Sequence, residues 1–355
     1  MEKIQVAVLG ATGAVGQRFI QMLEDHPWFQ LSAITASQSS VGKKFLTVSN
    51  WYLEGEIPNE AAEMTILETS PDAVKRAGDI SLVFSALPSS IAKEIEPDFS
   101  KAGFAVASNA SAYRMDDSVP LLIPEINVDH LKLINRQRRL KETEGFIVTS
   151  PNCSTYALVM ALKPIYDTFG IKRLVVSTMQ AISGAGYSGL PSMAILENVI
   201  PFIPGEEEKM ESETLKILGK LAIDEINPAD FKISASCNRV PVYDGHTEAV
   251  SIETIRDAKP EDVVKVLKDF RGYAQKNNLP SAPEKPIVVR SQPDRPQPRI
   301  DRDEGNGMSV VVGRIRREHV FDFGIKFIVL GHNTIRGAAG GSIINAEALL
   351  KEGYV

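Results

Sequence analysis

At 355 residues, with 43% hydrophobic and 24% charged side chains, the chain has the length and the apolar content for two ordinary domains, each with its own core. A net charge of −6 argues against nucleic acid as a general partner, and no apolar run approaches the length of a membrane span. Two cysteines, Cys153 and Cys237, supply neither a disulfide framework nor metal-ligand spacing, and the Met-Glu-Lys start leads at once into a strand, so a metal-free cytoplasmic protein without a signal peptide is expected.

Ile4–Leu9 is a continuous apolar run of the kind buried on both faces of a parallel sheet. Gly10, Gly13 and Gly16 follow, and Gln17–Leu23 then carries helical apolar spacing. Further strands are expected at 31–35, 80–86 and 105–108, and a short one at 145–149, separated by helical or irregular stretches. That alternation predicts βα units and a dinucleotide-binding layer over 1–150. Cys153 then opens a helix after a Ser-Pro-Asn stop. Beyond it, strands at 174–180, 231–236, 249–254, 287–290, 308–316 and 326–330 follow one another closely, with a helix at 260–275. This predicts a second domain of different class over 151–334, with a mixed sheet. The glycine-rich start at 335 continues as a helix that is expected to pack back on the first domain, and 291–298 is expected to be an ordered loop.

Strand, glycine turn and helix in that order place phosphate oxygens at a helix N-terminus, so Gly10, Thr12, Gly13, Ala14, Val15 and Gly16 are expected to cradle a dinucleotide. A site for NAD ends the second strand with Asp or Glu to bind the ribose hydroxyls. Here the segment reads Ser37, Ser39, Ser40, then Lys43 and Lys44; hydroxyls beside a cation suit a 2′-phosphate, and NADP is the expected cofactor. A solvated loop is the alternative for the two lysines. Ser85 and Leu87, after another strand, are expected to line the same groove.

A thiol at a helix N-terminus feels the positive end of the macrodipole, which favours thiolate, and the same free N–H groups can hold an oxyanion. A lone cysteine is more often an inert buried residue. A reactive Cys153 needs a proton-transfer partner. Of five histidines, His26, His130 and His319 read as surface residues. His246 follows an Asp-Gly turn at the mouth of a strand, and His332 lies in a glycine-rich loop better suited to cofactor; His246 is preferred. Arg239 and Arg114 are candidate anion clamps, with surface ion pairs the alternative. Glu206, Glu207 and Lys209 lie in an acidic helix start that is by default solvated.

Taken together, the stretches 10–16, 108–114, 151–155, 180–186, 236–239, 244–248 and 332–337 resemble the aspartate-semialdehyde dehydrogenase family, of the archaeal and fungal-like branch, in family order over essentially the whole chain. The resemblance implies an α/β fold, with an N-terminal Rossmann-like parallel sheet and an α+β catalytic and dimerisation domain. It implies that Cys153 is the nucleophile, His246 the acid/base and Gln180 the residue that orients substrate. Arg239 would clamp the substrate carboxylate and Arg114 the phosphate. Glu206 or Glu207 would meet the ammonium and Lys209 the phosphate, while Asn109, Ser183, Gly184 and Asn333 would lie near the nicotinamide. The implied reaction is NADPH-dependent reductive dephosphorylation of L-4-aspartyl phosphate by a homodimer or homotetramer, in lysine, threonine and methionine synthesis. The nearest rival is a malonyl-CoA or succinyl-CoA reductase using the same thiol; Asn152 and the run Cys237-Asn238-Arg239 favour the amino-acid substrate. A non-catalytic NADP-binding sensor would be expected to lack Cys153 or His246, and both are present.

Overall fold

The computed structural model describes residues 2–355. Five strands, β1 (Ile4–Leu9), β2 (Phe29–Thr35), β3 (Ile80–Ser85), β4 (Ala105–Ser108) and β5 (Phe146–Thr149), pair in parallel in the order β2-β1-β3-β4-β5. Their Val, Ile, Leu and Phe side chains are buried on both faces, so the sequence shows unbroken apolar runs rather than alternation. The turn after β1 meets the first helix, Ala14–Leu23.

The second sheet takes β6 (Ile171–Gln180), β9 (Lys232–Arg239), β10 (His246–Thr254), β11 (Ile287–Arg290), β12 (Val310–Glu318) and β13 (Gly324–Gly331). A two-residue hairpin, β7 (Lys220–Leu221) with β8 (Ile226–Asn227), stands apart. The order is β11-β12-β13-β10-β6-β9; β6 with β9 and β11 with β12 run parallel, and the other pairs antiparallel. One face carries the long helix Cys153–Phe169 in a shared core with Leu174, Val250 and Val329. On the other face Val175 and Met179 of β6 are exposed, a period-two alternation that runs from Arg173 to Gln180. Among the described residues no helix is long and apolar enough to cross a membrane.

The chain returns at its end to the first sheet. Ile343, Ala346 and Leu349 of the helix Gly340–Lys351 share a core with Val6, Phe19 and Ile34. The segment before it, Ile335–Ala339, is a π turn rather than the start of an α-helix. Arg336 there is fully buried, 2.7 Å from Glu125, with its guanidinium over the Tyr156 ring. Replacing Glu125 by Ala leaves that cation unpaired in a dry site. A loss of about 3–5 kcal/mol is expected, read as a lower urea midpoint at unchanged slope.

The extent of one helix and the placement of two histidines differ from expectation, while the 291–298 loop is as expected. The helix expected over 260–275 ends at Asp269 and restarts at Tyr273, because the Gly272 backbone abuts Glu125 and leaves no room for a continuous rod. His26 and His130 are buried, not at the surface. His26 Nε2 meets Glu347 at 2.9 Å while its Nδ1 accepts the Trp28 and Phe29 backbone N–H groups. His130 bonds Asn127 and the Gly219 carbonyl. The 291–298 loop is ordered, with Arg295 and the Gln297 N–H both held by the buried Asp301 carboxylate.

Candidate active site

The carboxyl ends of the parallel strands and one end of the mixed sheet meet at a cleft of about 650 Å³. A shallower groove of about 900 Å³, between Pro124 and Asn277, holds neither cysteine nor histidine. Gln180 and Arg239 are register partners at the ends of β6 and β9, and His246 opens β10, antiparallel to β6. The three therefore converge on the edge that Cys153 reaches from the N-terminus of its helix. Cys153 Sγ lies 3.1 Å from His246 Nε2, and the backbone N–H of Ala181 donates to His246 Nδ1 at 3.0 Å.

Asn152 caps the Cys153 helix: its side-chain oxygen accepts the Ser154 and Thr155 N–H groups, and its Nδ2 donates to Glu206 at 2.8 Å. The thiolate expected from the helix terminus does not prevail. Burial pushes the thiol up to about 12, with Glu206 adding and Arg114 and Arg239 opposing. Burial and the Arg239 charge hold the imidazole down to about 3. Burial thus opposes both the thiolate and the imidazolium, against the helix dipole, which favours the thiolate.

Arg239 and Arg114 both line the cleft and are nearly buried. Arg239 Nη1 donates to the Ala181 carbonyl, and Arg114 donates to Glu213 and to the Asn109 carbonyl. Glu206 and Lys209 line the cleft. Glu207 does not; its carboxylate accepts the Cys237 N–H. Asn109, Leu87, Ser183, Gly184 and Asn333 line the same space, and the Asn109 Nδ2 is buried without a partner.

Gly13, Ala14 and Val15 face the cleft. Gly10 has φ +81°, open to glycine, and any Cβ on Gly16 would strike the Gly10 carbonyl, so those two glycines shape the turn while Gly13 leaves it open. No side chain caps this helix, and its first N–H groups are free for a phosphate. Thr12 is half-buried in the same turn. Ser37, Ser39, Ser40 and Lys43 lie outside the cleft lining, just past the end of β2, which adjoins the glycine loop through Thr35. Ser85 departs from expectation: it is fully buried beneath the groove, within reach of Glu96, because it still belongs to β3. Lys44 is 2.7 Å from Glu63, a surface ion pair, while Lys43 holds only the Ser39 carbonyl. His332 is buried outside the cleft lining, beside Asp303, rather than on the cofactor face.

The family described as "Semialdehyde dehydrogenase, NAD binding domain" matches residues 5–134, and "Semialdehyde dehydrogenase, dimerisation domain" matches 162–336. An aspartate-semialdehyde dehydrogenase of Methanothermobacter thermautotrophicus is 56% identical over 346 residues, 98% of this chain and 99% of that protein. The chain belongs to the aspartate-semialdehyde dehydrogenase family. A member from Saccharomyces cerevisiae is 45% identical over 362 residues, 98% of each chain. The crystal structure of the Candida albicans enzyme with NADP superposes with a TM-score of 0.91 at 42% identity, covering all of both chains. The archaeal and fungal likeness expected from the motifs is thus found over the full length.

Several supporting groups escaped the sequence reading. Glu213 bridges Arg114 at 3.0 Å and the Asn152 N–H at 2.6 Å. Lys216, buried and pushed down to about 8 by that burial, donates to the carbonyls of Arg114, Asp116 and Val119. Glu206, Glu213 and Lys216 all fall on one face of the helix Glu206–Ile217; that spacing was the available signal. Gly337 lies directly behind Cys153.

Proposed function

We propose that the chain is an NADP-dependent aspartate-semialdehyde dehydrogenase. It converts L-4-aspartyl phosphate to L-aspartate 4-semialdehyde through a Cys153 thioester, on the route from aspartate to lysine, threonine and methionine. The observation that carries the reading is the Cys153–His246 pair, 3.1 Å apart, set between two arginines and the glycine loop. Cys153 Sγ attacks the acyl carbon and phosphate leaves. His246 is its acid–base partner, and Gln180 holds substrate beside the sulfur. Arg239 takes the substrate carboxylate, Arg114 and Lys209 the phosphate, and Glu206, the glutamate on the cleft, the ammonium. NADP, when bound, supplies the hydride carrier; Gly13, Ala14 and Val15 hold its phosphates, and Asn109, Ser183, Gly184 and Asn333 border its nicotinamide. The free N–H groups at the first helix and the unpartnered Asn109 Nδ2 fit such a group.

The domain that binds the cofactor is 1–150 with 335–355 packed back on it, and 151–334 forms the catalytic and dimerisation domain. A second copy covers the open face of the mixed sheet, where Val175, Ser177 and Met179 of β6 stand beside Ser234 and Ser236 of β9. Sedimentation velocity distinguishes the dimer this face forms from a tetramer of two dimers.

The deciding assay compares aspartate semialdehyde plus phosphate and NADP with malonyl-CoA or succinyl-CoA plus NADPH. Turnover confined to the first pair is expected; turnover confined to the thioesters overturns the substrate and leaves the nucleophile. Lys43→Glu is expected to weaken NADP about tenfold and NAD less than about twofold, since only NADP carries the 2′-phosphate. Dissociation constants for both cofactors, from quenching titrations, test it, and equal loss counts against the 2′-phosphate contact.

A further inference from the structure

We propose that Glu213 is a positioning residue: its single carboxylate sets the Arg114 anion clamp in register with the start of the Cys153 helix. The proposal deepens the reading of Arg114 as phosphate ligand beside the Cys153 nucleophile, and it rests on that reading. Glu213 is buried and does not line the cleft, so it acts through the groups it holds. One of its oxygens accepts from Arg114 Nη1 at 3.0 Å, and the other accepts the Asn152 N–H at 2.6 Å. Cys153 is the next residue.

The two partners are carried by different parts of the fold. Arg114 follows β4 of the parallel sheet, whereas Glu213 lies on the helix Glu206–Ile217, whose Met210 and Ile217 belong to the core of the mixed sheet. A guanidinium on a long side chain is otherwise free to move relative to a thiol fixed by its helix, and the shared carboxylate removes that freedom. Glu206, two turns back on the same face, accepts from Asn152 Nδ2 at 2.8 Å. One helix therefore grips Asn152 at its backbone and its side chain, while the Asn152 oxygen caps the helix that Cys153 opens. Lys216 ties the carbonyls of Arg114, Asp116 and Val119 to the same helix, which places the segment but not the guanidinium.

The guanidinium is left to two acceptors. With Nη1 on Glu213 and Nη2 on the Asn109 carbonyl at 2.7 Å, Arg114 keeps one N–H on each terminal nitrogen for an anion. Shortening the carboxylate, or replacing one of its oxygens by a donor, frees the guanidinium or leaves the buried Asn152 N–H unpaired. Phosphate binding suffers first. Arg239, the clamp for the substrate carboxylate, and the glycine loop that receives the cofactor make no contact with Glu213.

Steady-state oxidation of aspartate semialdehyde by the full-length protein, at varied phosphate, tests this. Glu213→Gln is expected to raise KM for phosphate about tenfold, with KM for semialdehyde and for NADP changed less than about twofold. Glu213→Asp keeps the charge but cannot span both partners, and a similar rise is expected. A wild-type KM for phosphate in either variant overturns the proposal. In an Arg114→Met background, Glu213→Gln is expected to add less than about twofold; the full rise there shows that Glu213 does not act through Arg114, and overturns it as well. Protection of Cys153 from iodoacetamide by inorganic phosphate reads the clamp without turnover, and Glu213→Gln is expected to need about tenfold more phosphate. No protection in the wild-type protein, or equal protection in both, overturns the proposal. If phosphate protects in the expected ratio yet wild-type turnover is indifferent to phosphate, the acyl-phosphate substrate falls and the positioning by Glu213 stands.

Discussion

Cys153→Ser is expected to lower turnover of aspartate semialdehyde by on the order of 10⁴-fold, with NADP affinity changed by less than about twofold. The environment of the thiol sets the size of the loss. Burial and Glu206 keep it protonated despite two nearby arginines. The enzyme therefore depends on the ease with which sulfur, once it meets the acyl carbon, gives up its proton and holds the developing charge. A hydroxyl in the same site starts from a far higher pKa and is the weaker nucleophile. The helix cap by Asn152 and the His246 contact would survive the exchange, because both are made by neighbouring atoms. Steady-state kinetics with a parallel NADPH fluorescence titration checks the split. Activity within about tenfold of wild type would remove Cys153 from the nucleophile's role.

The parts of this molecule that the sequence displays are those fixed by local pattern. The unbroken apolar run of β1, followed by Gly10 and Gly16, dictates a buried strand and a tight turn because each residue's own backbone or burial demands it. The position of Cys153 after Ser-Pro-Asn is equally local, since the asparagine caps the helix the thiol opens. What the sequence hides is the burial of polar side chains by partners far along the chain. His26 looks like a surface residue until Glu347 closes on it, and Lys216 looks solvated until three carbonyls between 114 and 119 receive it. The thiol's ionisation was misjudged for the same reason. The dipole is a property of one helix, whereas the desolvation that outweighs it comes from the assembled cleft. Ser85 lies inside the strand expected at 80–86, and in a sheet covered on both faces such a side chain goes to the core rather than to the groove wall.

Gly337→Ala is the substitution expected to damage catalysis most without touching a reacting group. A Cβ built there would lie 2.8 Å from the Cys153 Cβ and 2.9 Å from its Cα. Neither atom is the end of a flexible side chain; both belong to the first turn of a helix whose next residues are buried in the core. Relief requires either the helix N-terminus or the π turn Ile335–Ala339 to move, and Arg336 pins that turn to Glu125 and Tyr156. Gly184 provides the contrast. A Cβ there meets the Arg239 guanidinium at 3.0 Å and the His246 ring edge at 3.2 Å, and the arginine end can yield. Displacing the thiol by even a fraction of its 3.1 Å spacing from His246 spoils the alignment on which attack depends. Gly337→Ala is therefore expected to lower kcat/KM by about 10²-fold, with a stability loss of about 1–3 kcal/mol from overpacking. Gly184→Ala should cost several-fold less. Kinetics, thermal melts and the rate of Cys153 alkylation, measured on both variants, separate a displaced thiol from a loosened fold. Near-wild-type kcat/KM in a folded Gly337→Ala protein would show that the backing of Cys153 by the π turn is not what holds the nucleophile in place.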